Sequence, residues 1–132
     1  MAYLLHLYCP ECGKIFAAEQ VQTYCTDCAS PLLAQYDLPR VRAEVSRDST
    51  SAGPRGMWRW HAVLPVGDRA HRLTLGEGDT PLLPAPRLGA ALGLDHVFVK
   101  DESFNPTGTF KARGMAVAVA RAVELGVTAL VA

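Results

Sequence analysis

Two sets of residues have the types and spacing to do chemistry. The first centres on Lys111, within Asn105-Pro106-Thr107-Gly108-Thr109-Phe110-Lys111-Ala112-Arg113-Gly114. The apolar run Val97-Phe98-Val99 before it reads as a short buried strand. The Ala-rich run from Met115 to Leu125 after it is too long for a strand and reads as a helix. Asn-Pro and Thr-Gly mark a tight connection between the two. Thr107 or Gly108 would cap the helix and leave Lys111 in its first turn. A helix N-terminus carries partial positive charge, so an ammonium is disfavoured there and the neutral amine, which attacks carbonyls, is favoured. Lys111 is therefore a candidate nucleophile. The plainer alternative is a solvated lysine at a helix start.

The second set is the four cysteines, Cys9 and Cys12 in Cys9-Pro10-Glu11-Cys12, and Cys25 and Cys28 in Cys25-Thr26-Asp27-Cys28. A C-x2-C spacing lets two thiolates of one turn reach a single ion, and two such knuckles complete a tetrahedral zinc site. Gly13 supplies the permissive backbone a knuckle needs. Ile15-Phe16 and Gln22-Thr23-Tyr24 are expected to form the strand pair between them. Disulfides are the alternative, and they fit badly with the cytoplasmic location expected below.

These groups must be positioned by a chain of 132 residues with zero formal net charge and 49% hydrophobic residues. That composition argues against disorder. It offers no basic field for nucleic acid and no acidic tail. No apolar run approaches the ~20 residues of a membrane span. The opening Met1 to Tyr8 makes a poor secretion leader, so a cytoplasmic protein is expected. The chain divides into a cysteine-bearing β module over 1–35, a connection with one short helix over 36–56, and an α/β part over 57–132. Asp37 to Val45 reads as the helix, and Ser46 to Gly56 as a mobile polar stretch. Met57 to Pro65 reads as a short packed helix whose tryptophans are buried by default. Gly76-Glu77-Gly78 is a structural turn, and Pro86 to Leu92 a short helix ended by Gly93. The helix after Lys111 looks apolar nearly all round, hence buried. Thr128 to Ala132 reads as the second strand of a β-α-β unit, so a fragment of a longer chain is expected. Asp101-Glu102 would hold Arg113 in an ion pair. His6, His61, His71 and His96 show no metal spacing.

The ten residues around Lys111 resemble the lysine motif of fold type II pyridoxal-phosphate enzymes, and within them the threonine synthase family. Leu75-Gly76-Glu77-Gly78-Asp79-Thr80-Pro81-Leu82-Leu83 is similar to that family's Gly-Glu-Gly-x-Thr-Pro-Leu segment. Val97 to Glu102 is similar to the strand leading into its lysine loop. Ala112 departs from the Asp that many threonine synthases carry there. The resemblance implies an α/β domain of the tryptophan synthase beta-like kind, here only begun and preceded by the zinc-ribbon-like module. It implies pyridoxal phosphate on Lys111 as a Schiff base, with Phe110, Asn105 and Thr109 near the cofactor; for Asn105 and Thr109 a purely structural loop role stays open. It implies conversion of O-phosphohomoserine and water to threonine and phosphate, in a homo-oligomer when full length. A threonine or serine dehydratase is the alternative enzyme. A non-catalytic zinc-ribbon interaction protein is the alternative from another class. The loops that complete the cofactor site lie beyond this stretch in that family, so the chain by itself is expected to be inactive.

Overall fold

The computed structural model describes residues 3–131. Its first unit is a three-stranded antiparallel sheet of order β2-β1-β3, with β1 at Leu4–Tyr8, β2 at Ile15–Phe16 and β3 at Leu33–Tyr36. Leu7 pairs with both Phe16 and Ala34, which fixes β1 at the centre. The opening apolar run is thus the strand that organises this unit. The expected partner of Ile15-Phe16 does not form: Tyr24 makes only an isolated bridge with Pro31. Polar Gln22 and Thr23 offer no apolar face, and β1 already takes the pairing edge of β2. Cys9, Phe16 and Cys25 form the small core, with Leu7 and Leu32 against it.

Helix α1, Leu38–Glu44, starts at Asp37, whose carboxylate accepts from Arg40 N at 3.0 Å. The polar stretch that follows is not featureless. It holds a second helix, α2, Arg47–Ser51. Ser46 and Ser49 cap each other reciprocally there, each backbone N–H reaching the other's hydroxyl at 3.0 Å. A 3-10 turn, Met57–Val63, then lays Met57 and Trp58 into the main core. Trp58 is buried and donates its indole N–H to Leu73 O at 2.8 Å. Trp60, expected to be buried as well, is exposed, because the turn is kinked at that residue.

Strand β4, Leu82–Pro84, pairs antiparallel with β5, Phe98–Lys100, and α3, Pro86–Leu92, lies between them in sequence. Two expectations are corrected here. The strand before the lysine loop has no parallel neighbour among the described residues, and its side chains are exposed rather than buried. Three apolar residues indicate a strand but encode neither the direction of its partner nor the layer that covers it. Residues 127–131 form no strand, since no described segment offers them a ladder; Val127 N instead closes on Ala122 O at 2.9 Å. Ala132, the last residue of that expected strand, lies outside the described residues.

Helix α4, Lys111–Glu124, is preceded by Phe110 in helical geometry, so the expected Thr107 or Gly108 cap is displaced into the loop. Only Ala112 and Ala120 are buried on it, and Met115 is exposed. The helix packs by one face: Ala120, Ala116 and Val117 meet Met57, Trp58, Leu64 and Val66. The all-round apolar reading is corrected accordingly. Alanine covers little area, so an Ala-rich helix looks apolar in sequence while needing only one packed face.

The Gly-Glu-Gly turn crosses this core at close quarters. Met57 N donates to Glu77 O at 2.9 Å. A Cβ at Gly78 would stand 2.4 Å from Met57 N, whereas one at Gly76 would meet nothing within 4 Å. Both glycines have positive φ. Gly78→Ala is therefore expected to cost more than Gly76→Ala by roughly 1–3 kcal/mol of overpacking. Urea denaturation of the two variants measures the difference, and equal midpoints would remove the close contact as its cause.

Candidate functional site

The two cysteine pairs fold as matching knuckles. Gly13 N donates to Cys9 O and Ala29 N to Cys25 O, each at 2.9 Å. In return Cys9 N reaches Lys14 O and Cys25 N reaches Ser30 O. The residue after each second cysteine turns through positive φ, 74° at Gly13 and 56° at Ala29. The four sulfurs converge within 4.8 Å of one another. Cys9 and Cys28 stand 3.4 Å apart, Cys12 and Cys25 3.5 Å, and Cys12 and Cys28 3.9 Å. These are not disulfide distances, and all four thiols are free. Sulfurs each ~2.3 Å from a shared zinc would stand about 3.8 Å apart, so the donor set fits a tetrahedral thiophilic ion.

The thiols are not equivalent. A backbone N–H from Cys12 outweighs burial and, with the Cys28 thiol, holds Cys9 down at about 6. The N–H of Asp27 lowers Cys25 in the same way. At Cys28 an N–H from Ser30 favours the thiolate, but the hydrogen bond with Cys9, burial and Cys25 outweigh it and push the thiol up to about 12. Two thiolates held together raise the cost of forming the next one, and a bound cation removes that cost. Lys14 borders the cluster, donating to Asp27 at 2.6 Å and Thr26 at 2.9 Å.

The lysine loop is built around one carboxylate. Glu102 accepts from Arg113 Nε at 2.6 Å and Nη2 at 2.8 Å, from Thr80 Oγ1 at 2.5 Å, and from Asn105 Nδ2 at 2.9 Å. The Arg113 guanidinium, with the Thr80 hydroxyl and Asn105 amide, holds the Glu102 carboxyl well below the usual carboxylate range. Arg113 is raised by the same contact. The expected ion pair thus forms with Glu102, while Asp101 turns to cap Ser103 N at 3.0 Å. Thr80 and Gly78 complete the arrangement: Gly78 N donates to Asn105 Oδ1 at 3.2 Å, and Lys100 Nζ donates to Thr80 O at 2.5 Å. Nothing in the sequence signalled Thr80 or Gly78 as partners of this loop, because the contacts span 20 and 27 residues. Nearby, buried Glu77 is opposed by desolvation. The Thr74 hydroxyl and the local backbone N–H groups, that of Leu75 among them, still keep its carboxyl below the usual range.

Lys111 opens α4 on its exposed side and makes no hydrogen bond or ion pair among the described residues. Phe110 is exposed beside it, 65% accessible. Thr109 is exposed, its hydroxyl 3.3 Å from that of Thr107. Asn105 is different: it is buried, and both ends of its amide are engaged within the loop. The structure therefore brings Lys111, Phe110 and Thr109 to one exposed helix start, while Asn105 is buried at the loop's beginning against Glu102 and Gly78.

A profile for the family described as pyridoxal-phosphate dependent enzyme matches residues 73–132. That stretch, which holds β4, β5, the lysine loop and α4, is similar to the start of a domain of that family and follows the four-cysteine module. Over nearly its whole length the chain resembles threonine synthases. It is 40% identical to the threonine synthase of Methanocaldococcus jannaschii over 119 residues, 90% of this chain and 29% of that protein. It is 36% identical to the threonine synthase of Methanosarcina acetivorans over 123 residues, 93% of this chain and 29% of that protein. The threonine synthase of Synechocystis is 49% identical over 73 residues. The chain thus spans 29% of the length of the first two relatives. No solved structure matches it.

The knuckle symmetry carries one energetic consequence. Ala29 holds a left-handed conformation that Gly13 holds without strain. The left-handed region costs a residue with a Cβ roughly 1–2 kcal/mol, and glycine gives back about 0.5–1 kcal/mol through its freer unfolded chain. Ala29→Gly should raise stability by about 0.5–1 kcal/mol, read from urea midpoints at one fixed metal concentration.

Proposed function

We propose that this chain is part of a threonine synthase in which Lys111 holds the aldehyde of pyridoxal phosphate and Cys9, Cys12, Cys25 and Cys28 hold a structural zinc. One observation carries the first part. The chain has three lysines. Lys14 is paired with Asp27 and Lys100 is bound to the Thr80 carbonyl, whereas Lys111, at a helix start, has no hydrogen-bond or ion-pair partner among the described residues. An unpaired amine on a rigid element is the one available to attack a carbonyl.

The bound cofactor would supply an electron sink for the carbanions of a β,γ-replacement on O-phosphohomoserine. The chain's own residues do the rest. Lys111 would hold the cofactor aldehyde and, as a free amine, would move protons as a general base and acid. Phe110 gives a flat ring an apolar neighbour, and the Thr109 hydroxyl offers a polar contact. Asn105 keeps the loop closed. The cysteine module, with no cluster of basic residues, serves as an appended structural unit rather than a nucleic-acid reader.

Three measurements test this. Borohydride reduction of the cofactor-loaded full-length protein, followed by peptide mapping, should label Lys111, and Lys111→Ala should lose the label while keeping the fold. Label on Lys100 would overturn the assignment. With O-phosphohomoserine the protein should release phosphate; 2-oxo acid formed from threonine would instead make it a dehydratase. For the metal, elemental analysis should find one zinc per chain. Cys9→Ser and Cys25→Ser, which remove the two buried sulfurs, should each lose it and lower the melting temperature. Full zinc retention in either variant would refute the four-thiolate site.

A further inference from the structure

Glu102 has no hydrogen bond to Lys111 among the described residues, yet three segments of the lysine-bearing part meet at its carboxylate. Thr80 brings the Gly-Glu-Gly-Asp-Thr-Pro stretch, Asn105 brings the loop, and Arg113 brings the first turn of α4. The same contacts reach the neighbouring lysine. Thr80 donates its hydroxyl to Glu102 while its carbonyl receives Lys100 Nζ. Arg113 adds a second bond to the Thr80 hydroxyl at 3.2 Å. The orientation of Thr80 is thereby set by Glu102 and Arg113, and with it the fate of the Lys100 amine.

We propose that Glu102 is a positioning residue that selects the reactive lysine: it fixes the Lys111 helix start in place and, through Thr80, keeps Lys100 tied to backbone. The proposal rests on the reading of Lys111 as the residue that takes the cofactor aldehyde. Its physical basis is the geometry of the acceptor. A carboxylate has two oxygens and no proton, so it can face four donors at once. A glutamine at 102 would turn an N–H2 toward groups that are themselves donors, from Thr80 or from Arg113. The loop then loses a fastening on one side, and Thr80 is free to turn its carbonyl away from Lys100. Charge-assisted bonds of this kind are stronger than neutral ones, so their loss is felt at the loop before it is felt by the whole fold.

The test reads where an aldehyde attaches. Full-length protein, freed of cofactor, is given pyridoxal phosphate. A lysine amine condenses with its aldehyde, losing water, and borohydride then delivers hydride to the C=N carbon and fixes the link for peptide mapping. The wild type should carry the label on Lys111. In Glu102→Gln the label on Lys111 should fall about tenfold, the scale set by losing a charged hydrogen bond, and label should appear on Lys100. Lys14, remote in the cysteine module, is the internal control and should stay unlabelled. Thr80→Val keeps the backbone and the volume, and should raise Lys100 labelling even if Glu102→Gln folds poorly. The proposal falls if Lys111 labelling in Glu102→Gln stays within about twofold of wild type. It also falls if Thr80→Val leaves Lys100 silent, or if Lys14 gains label together with Lys100, since that pattern reports general loosening. Wild-type label away from Lys111 would instead bring down the functional reading beneath it.

Discussion

The carboxylate of Glu102 is the constraint on which the lysine-bearing half depends. It is only partly buried, its side chain 23% accessible, and Arg113 opposite is 30% accessible. An exposed pair of this type contributes little by itself. What distinguishes this one is saturation. Arg113 binds it as a fork, and Thr80 and Asn105 take the remaining acceptor positions. A carboxylate with all its acceptor positions filled has no low-cost alternative arrangement, so the segments meeting there share one geometry. Beyond buried Asn105, the loop from Pro106 to Phe110 is exposed and contains a glycine of positive φ. Without the pair before and after it, that loop would have no reason to hold one shape.

The amino-terminal unit solves the same problem with sulfur. About thirty residues cannot bury enough apolar surface to repay their chain entropy. The core there is Cys9, Phe16 and Cys25, and two of those three are candidate metal ligands. Free thiols 3.4–3.9 Å apart, two of them pressed toward thiolate, are a repulsive arrangement until a cation neutralises it. A cation taken up there would therefore share one equilibrium with the fold of this unit, and Ala29 in a left-handed turn is held by the backbone hydrogen bonds of the Cys25–Ser30 knuckle.

What could be read from the sequence followed from local rules. Helices α1 and α3 were legible from a carboxylate cap at Asp37 and from Pro86 with Gly93, since caps act within one turn. The cysteine cluster was legible because C-x2-C spacing places both sulfurs by backbone geometry alone. Lys111 in a first helical turn was legible from the alanine run that follows it, although Phe110 and not Thr107 or Gly108 precedes the helix. The failures involved contacts between distant segments. The antiparallel pairing of β4 with β5 is decided by Ala85 N meeting Val97 O and Asp101 N meeting Pro81 O, and no local pattern contains those bonds. The exposure of Phe98 and Trp60, and the engagement of Asn105 by Gly78, depend likewise on what lies across the fold.

Helix α4 joins these separate solutions. Its fourteen residues rise about 21 Å, enough to carry a different task on each turn. Lys111 presents an amine at the start, and two residues later Arg113 leaves on another side to reach Glu102. Ala112 and Ala120 are buried, and small side chains there let the helix approach its neighbours closely. Near the end Arg121 donates to Ala18 O at 2.5 Å and also to Glu124, linking the helix to the cysteine unit. Glu124 in turn accepts from Asp68 N at 2.7 Å, fixing the segment that follows Val66 in the core. A lysine on a loop could reach the same point in space, but only by paying for its order separately. On α4 the packing that orders Ala120 against Trp58 and Val66 also orders the amine two and a half turns away, so the stability of the core and the placement of that amine are set by the same rigid element.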